Sequence, residues 1–161
     1  SYIETKKQEY LKILPELEGL QNKQNKEGVE YYKSTKGIRT LLSELLVGAK
    51  KGDIYRYFST SSKEEYEKAR FIYSTSKELR YQKKVTSRGL WSEELRSETR
   101  ANKKTQKKFI DMSLPPNMQF INNKVAIFSW EGEPTGVLIK SKSIYDTYVK
   151  FFDDLWEKAK E

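Results

Sequence analysis

Three short segments carry side chains that could meet a ligand. Ser59-Thr60-Ser61 closes an expected strand at an expected helix start, where free backbone N–H groups favour an anion. Arg88-Gly89-Leu90-Trp91 joins a guanidinium to an indole, a pairing suited to an anion or a sugar ring. Ser129-Trp130-Glu131 follows another expected strand, and open α/β sheets place ligands beyond strand carboxyl ends. Each segment is also ordinary capping or core-edge chemistry, so the functional reading needs them around one cleft. The candidate ligand-binding residues are Ser59, Thr60, Ser61, Arg88, Trp91, Ser129 and Trp130.

Other chemistry has little support in the residues. The chain has no histidine and no cysteine. That removes the usual general base, the commonest metal ligand and every thiolate site. No glycine-rich phosphate loop or metal-ligand spacing is present. Asp153 and Asp154 are adjacent and point to different sides of an expected helix, a poor catalytic pair. The expectation is no catalytic residue, no metal, no cofactor and no enzymatic activity. Residues 100–108 hold five basic residues in nine. If helical, Lys103, Lys104, Lys107 and Lys108 share a side that could follow a phosphate backbone. No aromatic residue is interleaved for base stacking, so a solvated face is expected.

At 161 residues the chain suits one domain with a real core. It is 34% charged but 13% aromatic, and the aromatic mass argues against disorder. A net charge of +8 attracts phosphates, nucleic acid or an acidic surface. No apolar run is long enough to span a membrane and no signal-peptide pattern opens the chain. The expectation is a cytoplasmic protein without a membrane partner. The sequence starts at Ser1 rather than Met, so the natural N-terminus is expected elsewhere.

The elements that must hold these residues follow from periodicity. Residues 2–20 predict a helix with heptad-spaced apolar positions, broken near Leu14-Pro15, and 21–28 predict a polar linker. Residues 29–33 predict a strand, 35–51 a helix ended by Gly52, and 53–59 a strand, the set suiting a parallel crossover. Ser62 with Glu65 predicts a capping box and a helix to about Lys84. The stretch 85–108 has no clear reading. Strands are expected at 108–112, 118–121, 125–128 and 137–139, the last two covered on both faces. Ser143 opens a last amphipathic helix carrying Tyr145, Tyr148, Phe151, Phe152, Leu155 and Trp156.

Three ordered stretches resemble a known family. They are Leu14-Pro15-Glu16-Leu17 with Val29-Glu30-Tyr31-Tyr32-Lys33 and Lys36-Gly37-Ile38; Leu114-Pro115 with residues 120–129; and residues 133–139 running into Phe151-Phe152-Asp153-Asp154-Leu155-Trp156. Together they resemble the effector-sensing part of TrmB-like transcriptional regulators, similar in fold to phospholipase D. The resemblance implies a mixed β-sheet flanked by helices, an α/β fold, with an N-terminal connector helix. It places Pro115, Asn117 and Asn122 where phospholipase D carries its His, Lys and Asp, so phosphodiesterase chemistry is not expected.

It further implies a connector and dimerisation helix at 1–24 and a sensing domain at 29–161. The dimerisation residues would be Ile3, Tyr10, Ile13, Leu14, Leu17 and Leu20. The expected partners are a second copy of the chain, a small-molecule effector such as a sugar or anion, and DNA through a domain outside this chain. The rival readings are a stand-alone basic nucleic-acid-binding module and a degenerate phospholipase D-type enzyme.

Overall fold

The computed structural model describes residues 1–161 apart from Ala101 and the side chains of residues 17–26. The chain runs α1 (Tyr2–Lys26), β1 (Gly28–Lys33), α2 (Ser34–Leu45), β2 (Ile54–Phe58) and α3 (Lys63–Gln82). It continues through β3 (Thr86–Ser92), a 3-10 segment (Glu93–Glu98), β4 (Gln106–Ile110), β5 (Met118–Ile121), β6 (Lys124–Ser129), β7 (Thr135–Lys140) and α4 (Lys142–Lys158).

The seven strands form one mixed sheet in the order β1-β7-β6-β5-β2-β3-β4. β1 through β2 pair antiparallel, and β2, β3 and β4 pair parallel. β2 is therefore the seam between the two halves. β1 and β2 run parallel, as the expected crossover through α2 requires, but β7, β6 and β5 lie between them. The adjacent crossover is β2–α3–β3, where β2 and β3 pair in parallel.

Side-chain alternation sends each strand's residues to two helical layers. On one face α2 and α3 bury Ile38, Leu41, Leu45, Ala69 and Ile72 with Tyr55, Ala126, Phe128 and Leu138 of the sheet. On the other, α4 buries Phe152 and Leu155 against Phe58, Leu90, Phe120 and Val125. Arg56 ties α4 to the seam: its Nε and Nη2 donate to Asp153 at 2.9 and 3.1 Å. Asp154 instead pairs with Lys150, so the two adjacent carboxylates do point apart.

Several expected boundaries move. α1 runs through Pro15 without a break and on to Lys26, replacing most of the linker. Pro15 is exposed, so water can take the carbonyl that its missing N–H leaves free. α2 stops at Leu45, six residues early, and Gly48 and Gly52, both at positive φ, turn the chain into β2. β6 and β7 are not fully covered on both faces, since Ile127 is 37% exposed. Asn122 and Asn123, both left-handed, make the tight β5–β6 turn.

Along α1, Ile3, Tyr10 and Ile13 are exposed and Leu14 is half-buried. The side chains of Leu17 and Leu20 lie outside the described residues. Beyond β4 the sheet gains one last contact. Phe109 N donates to Lys160 O at 2.6 Å and Lys160 N to Phe109 O at 2.9 Å. No helix among the described residues is long and apolar enough to cross a membrane.

Candidate functional site

The parallel half of the sheet and α3 enclose a cavity of about 100 Å³. Alternation along the strands aims Tyr57 of β2, Trp91 of β3 and Thr105 and Lys107 beside or on β4 toward α3. α3 answers with Tyr66, Arg70, Tyr73, Lys77 and Arg80, positions three and four apart on one side of the helix. Ser59 and Thr60, at the carboxyl end of β2, form one rim, and Gln119 of β5 adds an amide.

The aromatic walls are cross-linked. Trp91 Nε1 donates to Tyr57 Oη at 3.2 Å, and Trp130 Nε1 donates to Tyr73 Oη at the same distance. Tyr66 packs edge-on to Trp91 with centroids 5.7 Å apart. Gly89 makes room for this arrangement. A β-carbon there would lie 2.2 Å from the Tyr57 ring, so any larger residue pushes the ring off β3. Burial raises the phenol of Tyr57 to about 12, which keeps it protonated and able to donate.

The charge lining is one-sided. Arg70, Lys77, Arg80 and Lys107 border the cavity, and among the described lining residues none is Asp or Glu. Arg80 is only 5% exposed, with its guanidinium carbon 4.4 Å from the Tyr55 ring centroid. Its Nε donates to Ser76 O at 3.3 Å, and its Nη1 has no hydrogen-bond partner among the described residues. The buried Thr105 Oγ1 is likewise unpartnered. Lys107 Nζ donates to Thr99 Oγ1 and Arg100 O and lies 5.1 Å from the Trp91 centroid. Burial, with Lys77 nearby, lowers the Lys107 ammonium to about 8.

The structure brings Ser59, Thr60 and Trp91 to this one cavity, with Trp130 behind the Tyr73 wall. Ser61 faces away, where the Glu65 carboxylate accepts from its N–H at 3.0 Å and from its hydroxyl. The start of α3 thus holds its own anion. Asn117, left-handed and buried, donates to the same carboxylate at 3.2 Å. Burial would raise Glu65, but these bonds from Ser61 and Asn117 hold it below the usual range. Asn122 donates to Asp53 at 3.0 Å.

Arg88 sits on the opposite face, its guanidinium 5.9 Å from the Trp156 ring centroid, and donates to Gln106 at 3.2 Å. Ser129 is exposed and its Oγ accepts from Glu131 N at 3.5 Å. The described residues of the basic run are not helical. Lys107 and Lys108 are consecutive strand residues and face opposite ways, Lys108 lying 4.8 Å from the Trp156 ring centroid.

The cationic lining was missed because Arg80 lies in a helix crowded with charge. A signal was present: it falls on the stripe of Ala69, Ile72, Tyr73 and Ser76. The residues three and four away are Ser76, Lys77, Lys83 and Lys84, none able to neutralise it along the helix.

A scan against protein-family models finds no match, and a search of curated proteins finds none either. Solved structures do match. TrmBL2, an archaeal chromatin protein whose structure shows a novel mode of DNA binding, aligns with a TM-score of 0.55 at 16% identity. The match covers 99% of this chain and 64% of TrmBL2, so this chain spans under two thirds of that protein. Nuc from Salmonella typhimurium, a phospholipase D family member, aligns with a TM-score of 0.54 at 14% identity, over 83% of this chain and 96% of Nuc. NucT from Helicobacter pylori gives 0.51 at 10% identity, over 82% and 97%.

These likenesses overturn the expectation of a non-enzyme, because the fold is shared with a phospholipase D family member. The lack of histidine removes one nucleophile and does not by itself make the chain a non-enzyme. The fold is phospholipase D-like, the one that TrmBL2 and Nuc also adopt.

Proposed function

We propose that this chain is the effector-binding and dimerisation part of a TrmB-like transcriptional regulator working in the cytoplasm. The observation that carries the reading is the cavity where Ser59, Thr60 and Trp91 meet a cationic lining. In this reading residues 29–161 hold the effector and residues 1–24 pair two copies. The pairing uses Ile3, Tyr10, Ile13, Leu14, Leu17 and Leu20 of α1. DNA is engaged through a domain outside this chain. The TrmBL2-like fold supports a DNA partner, because that protein is described as binding DNA.

Effector binding would shift the relation between the paired copies, and with it the spacing of attached DNA-reading domains. Such coupling requires the effector to bind the two arrangements unequally. The test is DNA affinity of the full-length protein with and without effector, alongside sedimentation at micromolar concentration. A dimer whose DNA affinity moves with effector supports the reading. A monomer, or a DNA affinity indifferent to every effector that binds, overturns it. The net charge of +8 favours one other reading, direct DNA binding by this chain. Tight binding by residues 1–161 alone, falling steeply with salt, would support it.

A further inference from the structure

We propose that the cavity between α3 and the β2–β3–β4 half of the sheet is a phosphate-binding site, gripped by Arg80, Lys107 and Thr105. The inference rests on the effector-binding reading and names the chemistry of its ligand. Two buried arginines make the contrast. Arg56 is 7% exposed and its fork is filled by Asp153. Arg80 is 5% exposed, yet it stacks on Tyr55 and leaves Nη1 without a partner among the described residues.

A guanidinium stays charged at any ordinary pH. Holding it out of water without a counter-charge is costly unless something else supplies the anion. No Asp or Glu is among the described residues lining the cavity, so the chain itself does not supply one there. The donors come from more than one element: Arg80 from α3, Lys107 from β4 and the unpartnered hydroxyl of Thr105 from the turn before β4. Donors contributed by both the helix and the sheet edge suit a tetrahedral group with several acceptor oxygens better than a flat carboxylate.

Charge decides between the effector classes that the sequence left open. The lining offers Arg70, Lys77, Arg80 and Lys107 and, among the described residues, no carboxylate, so the site takes free phosphate or the phosphoryl end of a small metabolite rather than a neutral sugar.

Calorimetric titration with inorganic phosphate, glucose 6-phosphate and glucose, each against wild type, Arg80→Met and Lys107→Met, tests this. Binding of at least one phosphate-bearing probe, none of glucose, and at least a tenfold loss in each variant are expected. Tighter binding of inorganic phosphate assigns the free anion, and tighter binding of glucose 6-phosphate assigns a phosphorylated metabolite. No binding of either probe, or unchanged affinity in both variants, overturns the site. Should Arg80→Met fail to fold, Lys107→Met decides, since its side chain is only half-buried. Phosphate that binds without moving DNA affinity in the full-length protein leaves this site standing and removes the regulatory reading. Glucose that binds alone and moves DNA affinity does the reverse.

Discussion

Gly89 and Lys107, side by side across β3 and β4, carry the sharpest single-residue expectations. Gly89→Ala would drive a methyl group into the Tyr57 ring, break the Trp91–Tyr57 hydrogen bond and cost about 1–3 kcal/mol. Denaturant unfolding gives the cost, and quenching of Trp91 fluorescence reports the displaced ring. Lys107 gives a pH signature. Its folded ammonium titrates near 8 and its ordinary value is 10.5. Between those values the unfolded chain binds more protons, so Lys107 makes stability rise with pH across that window. Denaturation at pH 7.5 and 10 should show wild type gaining on Lys107→Met at the higher pH. Equal changes in the two proteins would contradict the buried placement. Parity could not be applied at this scale, because 85–108 had no strand reading; β3 supplies it. Arg88 and Trp91 are three apart on one strand, so they could not share a face, and Ser59 and Trp91 could meet only through folding.

Among the elements, α4 was the most legible, because its aromatic stripe is written locally, although its cap is Ser141, accepting from Ile144 N, and not the expected Ser143. What the local pattern could not reveal is that Arg56, five strands and a long helix away in sequence, locks the helix to the seam. Asp153→Ala should leave that buried guanidinium unpaired and cost about 2–4 kcal/mol. Thermal unfolding checks it, and Asp153→Asn should lose less. α1 shows the opposite lesson. Pro15 read as a break, yet exposure lets the helix continue. Under the dimer reading, Tyr10→Glu with Ile13→Glu should turn a dimer into a monomer by sedimentation while leaving the far-UV spectrum of the sheet domain in place. An unchanged dimer would move the interface elsewhere.

For the whole molecule, fold class was legible and strand order was not. Alternating strand and helix patterns gave an α/β sheet, but β1 travels to the far edge and β2 becomes the seam. That long-range choice depends on pairings between β1 and β7, over 100 residues apart, which no local period encodes. The cavity was half legible for the same reason: its rim is local, its cations come from α3 and β4.

The paired hydrogen bonds between Phe109 and Lys160 cover part of β4, a strand whose outer side is otherwise free to recruit a neighbour. Trimming the chain before Lys160 should therefore lower solubility, read as light scattering at rising concentration, even where the trimmed protein melts at the same temperature.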